Sequence, residues 1–381
     1  MSDTQNISAS IFVCGDIINQ FATRQFIEEG LVRHIKSCDY AVGNLEGVVA
    51  MDGCPVKKMQ QTSETVPLLK EAGFDLLLLA NNHIADYGMD GLERTISTIE
   101  RNMLSHVGAS YSEDEIYTSK DVEICGKKFS FINLCEAQSG YFGNESQSHG
   151  YAWIGHYRIE QLIRNARSRC DYLIIFVHAG LEHYQLPLRQ FRSLYTHYCD
   201  LGADCVIGSH PHITQGIERY NDSLIAYSLG NFYFPRHEKT DRFSDVENNA
   251  FSLKLTFGKG APQYDVIYHG IENGIVVETK AHPTTEIENL NKTLNEAKYL
   301  TELKKQNIDA YNKVVSNLFN IVFNGARANA GFLSKLRFTI KYLFSRYSIQ
   351  EEQKRMKLLR HLSANETYRY VIEDVTSNTS N

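Results

Sequence analysis

The sequence predicts an α/β fold with largely buried strands, followed by a helical C-terminal region. Apolar runs typical of strands alternate with segments in which apolar residues recur every three or four positions. Five of the predicted strands end in a side chain that can bind a metal ion. From about residue 287 glycine is scarce and strand signals stop. We therefore predict an α/β domain over residues 9–286 and a helical region over 287–381.

The predicted strands are short apolar runs that end in turn or polar residues. They cover 10–15, 39–44, 74–80, 171–177 and 203–208, with further strand signals at 249–257 and 264–279. Hairpins are predicted over 121–135, around Gly126, and over 213–231, turning at Asn221-Asp222. Runs this apolar are typical of strands that are covered on both faces.

The predicted helices lie between these strands. Apolar residues recur with helical spacing over 21–35, 65–73, 89–102 and 187–202, and Gly73 ends the second of these helices. This alternation indicates a sheet covered by helices. The polar end of the chain, 377–381, is predicted to be disordered.

Composition and charge narrow the class of protein. The net charge of −6 over 381 residues argues against a general nucleic-acid binder, so we expect no nucleic-acid partner. The longest apolar run, 76–80, is far too short to span a bilayer, and the polar N-terminus does not resemble a signal peptide. The eight cysteines include no CxxC pair and are expected to be reduced thiols. We therefore expect a cytoplasmic location.

Metal-binding residue types collect at the ends of the predicted strands. Asp16, Glu46, Asn82, His178 and His210 each follow or finish such a strand. Ligands of α/β sheets bind beyond the carboxyl ends of the strands. A single Asp or Asn there is ordinary because turns favour both. Five endings that combine imidazole, amide and carboxylate favour a site for Mn, Fe or Zn.

The motif GSHPH at 208–212 adds a second histidine to one of these ends. Because Pro211 bends the chain, the rings of His210 and His212 can face one cleft. In the alternative interpretation, one ring is exposed and the other is hydrogen-bonded in the core. The four other strand ends favour the metal site.

Other motifs also allow a purely structural interpretation. Asn81 and Asn82 could cap the helix that begins near Met89, and Glu46 could pair with a lysine. The segment YSLGNF at 227–232 could form a tight turn or line the site. The segment 136–155, rich in Gly, Ser and aromatic residues, could be a lid over the cleft or a long loop.

Six motifs occur in an order and at separations similar to those of one known family. They are GD at 15–16, NLEG at 44–47, ANNHIADYG at 80–88, HAGLEHY at 178–184, GADCVIGSHPHITQGIE at 202–218 and YSLGNF at 227–232. Over roughly residues 9–235 the chain resembles the bacterial capsule synthesis protein CapA family. That family is associated with poly-γ-glutamate capsule synthesis and is similar to the calcineurin-like metallophosphoesterases. The resemblance implies a metallophosphoesterase-like four-layer αββα sandwich, with a helical C-terminal extension and one or two divalent metal ions.

The resemblance also implies roles for individual residues. The implied metal ligands are Asp16 and His212 on one metal, His178 and His210 on the other, Glu46 between them, and Asn82. His83 would contact the substrate's anionic oxygens and stabilise charge or protonate the leaving group, and Asp86 would orient it. The implied site-lining residues are Asn44, Asn81, Glu182, His183 and Asn231.

Two departures from the resembled pattern separate the functional hypotheses. Metallophosphoesterases usually begin with Asp-x-His, but Ile18 stands where the histidine would be. The family's HWGxE reads HAGLE here, with Ala179 in place of tryptophan. The missing histidine favours a non-catalytic assembly or export partner that keeps a degraded site. Retention of the other polar residues favours an enzyme, because grouped buried polar groups are costly to keep without a use.

Our first hypothesis is a CapA-type metal-dependent hydrolase in the biosynthesis of a capsule or surface polymer similar to poly-γ-glutamate. Its expected partners are a phosphorylated or polymeric, amide-linked substrate and possible capsule-synthesis proteins. A sensor that binds a sugar phosphate without turnover is a further alternative. The basic, amphipathic segment 332–360 could contact an anionic membrane surface, or it could pack on its own domain with a solvated basic face.

Overall fold

Two β-sheets stack face to face, and helices cover both outer sides. The computed structural model describes residues 8–20, 25–50, 59–138, 150–234, 248–282, 285–294, 296–319, 356, 358–359 and 361–377. Numbered along the chain, the strands of these residues are β1 Ala9–Ile17, β2 Tyr40–Leu45, β3 Val48–Val49, β4 Gln60–Gln61, β5 Leu76–Leu78, β6 Ser105–Val107, β7 Ala109–Ser110, β8 Lys120–Ile124, β9 Lys127–Cys135, β10 Gly150–Tyr151, β11 Tyr172–His178, β12 Cys205–Ser209, β13 Ile217–Tyr220, β14 Ser223–Ala226, β15 Asn231–Tyr233, β16 Asn249–Phe257, β17 Gln263–Glu272 and β18 Ile275–Glu278.

The helices separate the parallel strands and gather again near the C-terminus. In the described residues they are α1 Glu29–Lys36, α2 Thr65–Ala72, α3 Gly88–Arg101, α4 Glu113–Ile116, α5 Ile159–Arg167, α6 Arg189–Asp200, α7 Ile287–Thr293, α8 Glu296–Ala310, α9 Ser316–Phe319 and α10 Glu366–Ser377. A π-helical turn, Tyr311–Val315, joins α8 to α9.

The strand order brings the ends of several parallel strands to one side of the molecule. The first sheet runs β18-β17-β16-β1-β2-β5-β6, with β15 also paired to β1. Its members β15, β1, β2, β5 and β6 are parallel. The second sheet runs β13-β14-β12-β11-β9-β8, and β14, β12, β11 and β9 are parallel. Within each sheet the carboxyl ends of these strands therefore share one edge.

Three apolar layers hold the sandwich together. Val13 and Val42 of the first sheet share a buried cluster with Phe131 and Phe176 of the second. On the outer face of the first sheet, the cluster includes Phe12, Leu31, Leu69 and Ile96. On the outer face of the second sheet, it includes Ile175, Phe191, Leu303 and Val371. Alternate residues of one strand thus face opposite layers, and the predicted four-layer αββα sandwich is confirmed.

The helix predicted over 21–35 is shorter in the structure. Residues 21–24 lie outside the described residues, and α1 begins only at Glu29. Before it, Ile27 forms a bridge with Val276, and the Val276 amide donates to the Phe26 carbonyl over 2.8 Å. Pairing with β18 therefore takes the backbone groups that a longer helix would need.

The segment 264–279, where strand signals are predicted, forms a hairpin. Asn273 and Gly274 have φ values of 52° and 76° and separate β17 from β18. Two positive φ values match the tight turn that suits the twist of paired strands. The two predicted hairpins are present, as β8–β9 and β13–β14.

The C-terminal region is helical where it is described. Leu303 of α8 and Val371 of α10 pack on the outer face of the second sheet. The domain boundary at 286–287 stays a prediction. Of the segment 332–360, only residues 356, 358 and 359 are described, and 378–381 lie outside the described residues. None of the helices described here has the length and apolar character needed to cross a membrane.

Candidate metal centre

The predicted metal ligands meet where the parallel strands of both sheets end. Asp16 lies near the end of β1, and Glu46 directly follows β2. His178 is the last residue of β11, and His210 directly follows β12. All four side chains are buried, with at most 1% exposed. The cluster therefore joins the two sheets at their common edge.

The motif GSHPH places both imidazoles inside the protein. His210 and His212 are 1% and 7% exposed, so the interpretation with one exposed ring is wrong. Their φ values are 96° and 60°, a left-handed backbone that costs on the order of 1–3 kcal/mol for residues other than glycine. The His210 amide donates to Asp16 Oδ2 over 3.2 Å, and the His183 amide donates to the Pro211 carbonyl over 2.8 Å. These bonds hold the strained turn in place.

Two groups of three candidate ligands share Glu46. One consists of Glu46, His178 and His210, and the other of Asp16, Glu46 and His212. In each group the ligand atoms lie within 4.8 Å of one another. His178 Nε2 is 3.2 Å from His210 Nδ1, and Asp16 Oδ2 is 3.5 Å from His212 Nδ1. Each group is small enough to surround one ion.

The Glu46 carboxylate lacks the hydrogen bonds that burial normally requires. It is fully buried, and neither oxygen accepts a hydrogen bond from any residue that the structure describes. Its closest ion-pair contacts there are His83 Nε2 and His178 Nε2, both 3.9 Å from Oε1. The lysine partner that we considered is therefore absent from the described residues. An unpaired buried carboxylate is costly, and a cation would offset that cost. The surrounding imidazole and carboxylate donors fit a divalent transition metal.

Burial and mutual charges set the ionisation of the cluster. Burial lowers the pKa of His178 well below its usual value and that of His210 to about 4, so both rings are neutral near pH 7. Burial raises the pKa of Glu46 to about 7 despite the charge of His212. Burial alone would raise the pKa of Asp16, but its bond with His212 lowers it to about 2. Neutral His178 and His210 and ionised Asp16 are in the forms that bind metals. Burial opposes protonation of His212, but the charge of Glu46 and the bond with Asp16 raise its pKa to about 10, so this ring must lose a proton before it binds a metal.

Asn82 faces the cluster and does not cap α3. Its Oδ1 lies 3.1 Å from His178 Nε2, and its Nδ2 donates to Gln138 Oε1 over 3.0 Å. The N-cap of α3 is Tyr87, which makes no side-chain capping bond. Asn81 instead fixes the loop: its Oδ1 accepts from the amides of Gly47 and His83 over 3.1 and 3.2 Å. The capping interpretation is wrong for both asparagines.

His83 stands at the opening of the cluster and is oriented by Asp86. The distance from His83 Nδ1 to Asp86 Oδ2 is 2.9 Å, and the His83 side chain is 28% exposed. Burial opposes protonation of this ring, but the bond with Asp86 and the charge of Glu46 raise its pKa. A protonated His83 can donate to an anion from solvent.

The predicted site-lining residues surround the same cluster. Asn44 Nδ2 donates to Asp16 Oδ1 over 2.6 Å, and Asn231 Oδ1 lies 2.9 Å from His212 Nδ1. Asn231 reaches this position because β15 pairs with β1 and places it opposite Asp16.

Glu182 and His183 lie further out. Glu182 Oε1 is 3.7 Å from His210 Nε2, and its side chain is 43% exposed. The ring of His183 lies 5.9 Å from that of His212. Ile18 and Ala179, the two departures from the resembled pattern, are 1% and 2% exposed.

Two residues of the centre were not predicted as site residues. Glu136 and Gln138 were included only in the predicted lid or loop, but they are 0% and 4% exposed and lie beside His210. Burial raises the pKa of Glu136 to about 8. Glu136 directly follows β9, so the strand-end pattern that indicated Glu46 could also have indicated Glu136. Residues 139–149 lie outside the described residues, so the lid stays a prediction.

Stacked sheets with buried imidazoles and carboxylates at their common edge define an α/β protein with a candidate metal centre. The sequence profile of the family described as bacterial capsule synthesis protein PGA_cap matches residues 10–236. This is more than half of the 381 residues, and the chain belongs to this family.

Two curated relatives carry capsule-related names. The chain is 28% identical over 233 residues to the capsule biosynthesis protein CapA of Bacillus anthracis, covering 58% of this chain and 56% of that protein. It is 29% identical over 205 residues to the PGA biosynthesis protein CapA of Bacillus subtilis strain 168, covering 52% and 54%. The chain thus spans about half the length of the curated relatives it matches.

Solved structures with a similar arrangement include the calcineurin-like phosphoesterase YfkN from Bacillus subtilis. It is 12% identical with a TM-score of 0.44, covering 78% of this chain and 98% of that one. A hypothetical protein from Thermus thermophilus is 15% identical with a TM-score of 0.45, covering 71% and 100%.

Proposed function

We propose that this chain is a metal-dependent hydrolase that acts in the synthesis of a capsule or another surface polymer. The observation that carries the proposal is Glu46, a buried carboxylate without a hydrogen-bond donor among the described residues that is shared by two groups of candidate ligands. Membership of the capsule synthesis family supports the biological setting. The substrate that we propose is a phosphoester or an amide-linked polymer similar to poly-γ-glutamate.

The candidate ligands divide between two positions. Glu46, His178 and His210 would hold one ion, and Asp16, Glu46 and His212 a second. Asn82 would add an amide oxygen beside His178. A bound divalent ion supplies a Lewis acid that polarises a phosphoryl or carbonyl oxygen and lowers the pKa of water.

His83 is the proposed proton donor. Asp86 holds its Nδ1 side at 2.9 Å, and His83 Nε2 is the nitrogen that lies near Glu46. The raised pKa of His83 favours the protonated ring. Such a ring can stabilise negative charge on the substrate or protonate a leaving group.

One observation favours a non-catalytic alternative. Ile18 is buried where metallophosphoesterases usually have a histidine, so the group with Asp16 lacks one imidazole. A protein with this fold and a weaker metal site could bind an ion without catalysing hydrolysis. In that case the protein would act as an assembly or export partner.

The cytoplasmic location, the capsule-synthesis partners and the membrane contact of 332–360 stay predictions.

Metal content and hydrolysis measured on the same protein samples test the proposal. The full chain would be purified and its metals determined by elemental analysis. Hydrolysis of bis(p-nitrophenyl) phosphate and of poly-γ-glutamate would be followed with added Mn²⁺. We expect bound metal and turnover in the wild-type protein. In Glu46→Gln and His210→Ala we expect the rate of turnover to fall by about 100-fold or more. His197→Ala is the matched control because His197 is half-exposed on α6 and pairs with Glu160.

The outcomes separate the two functions. Metal binding without turnover of phosphoester or poly-γ-glutamate substrates would favour the assembly partner. Absence of both metal and turnover, with the variants indistinguishable from wild type, would show that the metal-dependent hydrolase is wrong.

A further inference from the structure

The C-terminal helix α10 contacts the candidate centre directly. Thr367 is 2% exposed, and its hydroxyl donates to Glu136 Oε2 over 2.6 Å. The preceding side chain, Glu366, accepts from the amide of Ala137 over 2.7 Å and from Trp153 Nε1 over 3.1 Å. Thr367 and Glu136, which are 231 positions apart in sequence, are therefore bonded beside His210.

Glu136 connects Thr367 to a second side chain, that of Gln138, through a hydrogen bond. Its Oε1 accepts from Gln138 Nε2 over 3.2 Å and from the Gly180 amide over 3.4 Å. With Thr367 on the other oxygen, both oxygens of this fully buried carboxyl group have a hydrogen-bond partner. Both the carboxylate and the Gln138 amide are thereby fixed in orientation.

Gln138 in turn contacts two of the candidate metal ligands. Its Nε2 lies 2.9 Å from His210 Nε2, and its Oε1 accepts from Asn82 Nδ2 over 3.0 Å. Because Gln138 binds the nitrogen of the Asn82 amide, the Asn82 oxygen is turned toward His178, 3.1 Å from Nε2. His210 Nδ1 faces the cluster. For Nδ1 to bind a metal the ring proton must lie on Nε2, where Glu136 Oε1, 3.4 Å away, can accept it.

We propose that Thr367, Glu136 and Gln138 are positioning residues for Asn82 and His210, and that α10 is thus an integral part of the metal centre. The inference rests on the proposed metal-binding function. Outer partners of this kind set the orientation of ligands and change metal affinity by about 10–100-fold when they are lost. Thr367 lies beyond the matched residues 10–236, so the family profile does not include this contribution.

Cobalt binding by the full chain tests the role of the Thr367 hydroxyl. Thr367→Val keeps the shape of the side chain but leaves Glu136 Oε2 without its donor. We expect Thr367→Val to weaken Co²⁺ affinity about 10-fold, measured by competition with a chromogenic chelator, and to alter the visible Co²⁺ absorption bands. Thr367→Ser keeps the hydroxyl and should retain wild-type affinity and spectrum.

Thr376→Val is the matched control on the same helix. The Thr376 hydroxyl is exposed and bonds to the Ile372 carbonyl, so its loss should leave Co²⁺ binding unchanged. Melting curves of all four proteins check folding.

Equal affinity and identical spectra for wild type and Thr367→Val would overturn the inference alone. An equal loss in Thr367→Ser and Thr367→Val would also overturn it, because packing rather than the hydroxyl would then be responsible. A wild-type chain that binds no Co²⁺ would overturn the proposed function as well.

Discussion

His269 shows what burial does to a single imidazole that is not one of the candidate metal ligands. It is 1% exposed, its Nε2 lies 3.0 Å from Ser252 Oγ, and its ring packs edge-on against Phe232 at 5.0 Å. Its Nδ1 has no hydrogen-bond partner among the described residues. Burial lowers the pKa of His269 to about 3. The ring is therefore neutral in the folded protein over most of the acid range.

This histidine makes folding stability depend on pH. The unfolded-state pKa is about 6.5, so the contribution of His269 is fully present above pH 6.5 and is lost as the pH falls toward 3. We expect His269 to account for a loss of about 2–3 kcal/mol in the free energy of unfolding between about pH 6.5 and 4.5. In His269→Gln the acid side of the stability curve should be flatter by that amount. Urea unfolding at a series of pH values measures this difference, and parallel curves for the two proteins would contradict it.

Some residues of the candidate centre could be predicted from the local sequence, and others could not. Asp16, Glu46 and His178 stand at recognisable strand ends, so an apolar run followed by a polar residue indicated them. Thr367 carries no such signal, because it lies on a helix and its role depends on contact with Glu136.

At the scale of elements, β1 and the turn before β15 approach each other closely. The Asp16 amide donates to the Gly230 carbonyl over 3.2 Å. A Cβ at Gly15 would lie 1.9 Å from that same carbonyl oxygen. The glycine is thus required by the approach of two backbones, and this approach places Asp16 opposite Asn231.

Gly15→Ala should therefore destabilise the protein and disturb the centre. We expect a loss of about 3 kcal/mol or more in the free energy of unfolding, since neither backbone can yield easily. Gly258→Ala is the control, because a Cβ there would meet only Ser8 Cβ, at 3.8 Å, among the described atoms. Urea denaturation of both variants checks the expectation. A Gly15→Ala protein as stable as Gly258→Ala would show that the turn can move.

Elements were predicted well where their pattern was local. The β13–β14 hairpin follows from apolar runs on either side of Asn221-Asp222, and α6 from its periodic apolar residues. The helix predicted over 21–35 was too long, because the helical periodicity continues across Ile27, whose backbone pairs with Val276. Local spacing cannot reveal a partner so distant along the chain.

At the scale of the whole molecule, the candidate ligands join the two sheets. Asp16 and Glu46 come from the first sheet, and His178 and His210 from the second. The unfolded chain has no preformed group of these ligands. A metal ion that binds only the folded protein stabilises it by mass action.

We therefore expect Mn²⁺ to stabilise the whole fold. At a free concentration about 100 times the dissociation constant, the free energy of unfolding should rise by about 2.7 kcal/mol. Chelation with EDTA should remove the effect, and Glu46→Gln should show little of it because both candidate groups contain Glu46. Urea denaturation with and without Mn²⁺ measures the change. An equal response in wild type and Glu46→Gln would mean that Mn²⁺ binds elsewhere.

The sequence by itself determined the alternation of strands and helices, the tight turns and the polar strand ends, because each depends on residues close together in the chain. Only the tertiary structure decided that both rings of His210 and His212 are buried, that Glu46 lacks a donor among the described residues, and that Thr367 bonds to Glu136. These features depend on distances between segments far apart in sequence. Such distances are fixed only when the two sheets and the C-terminal helix pack together.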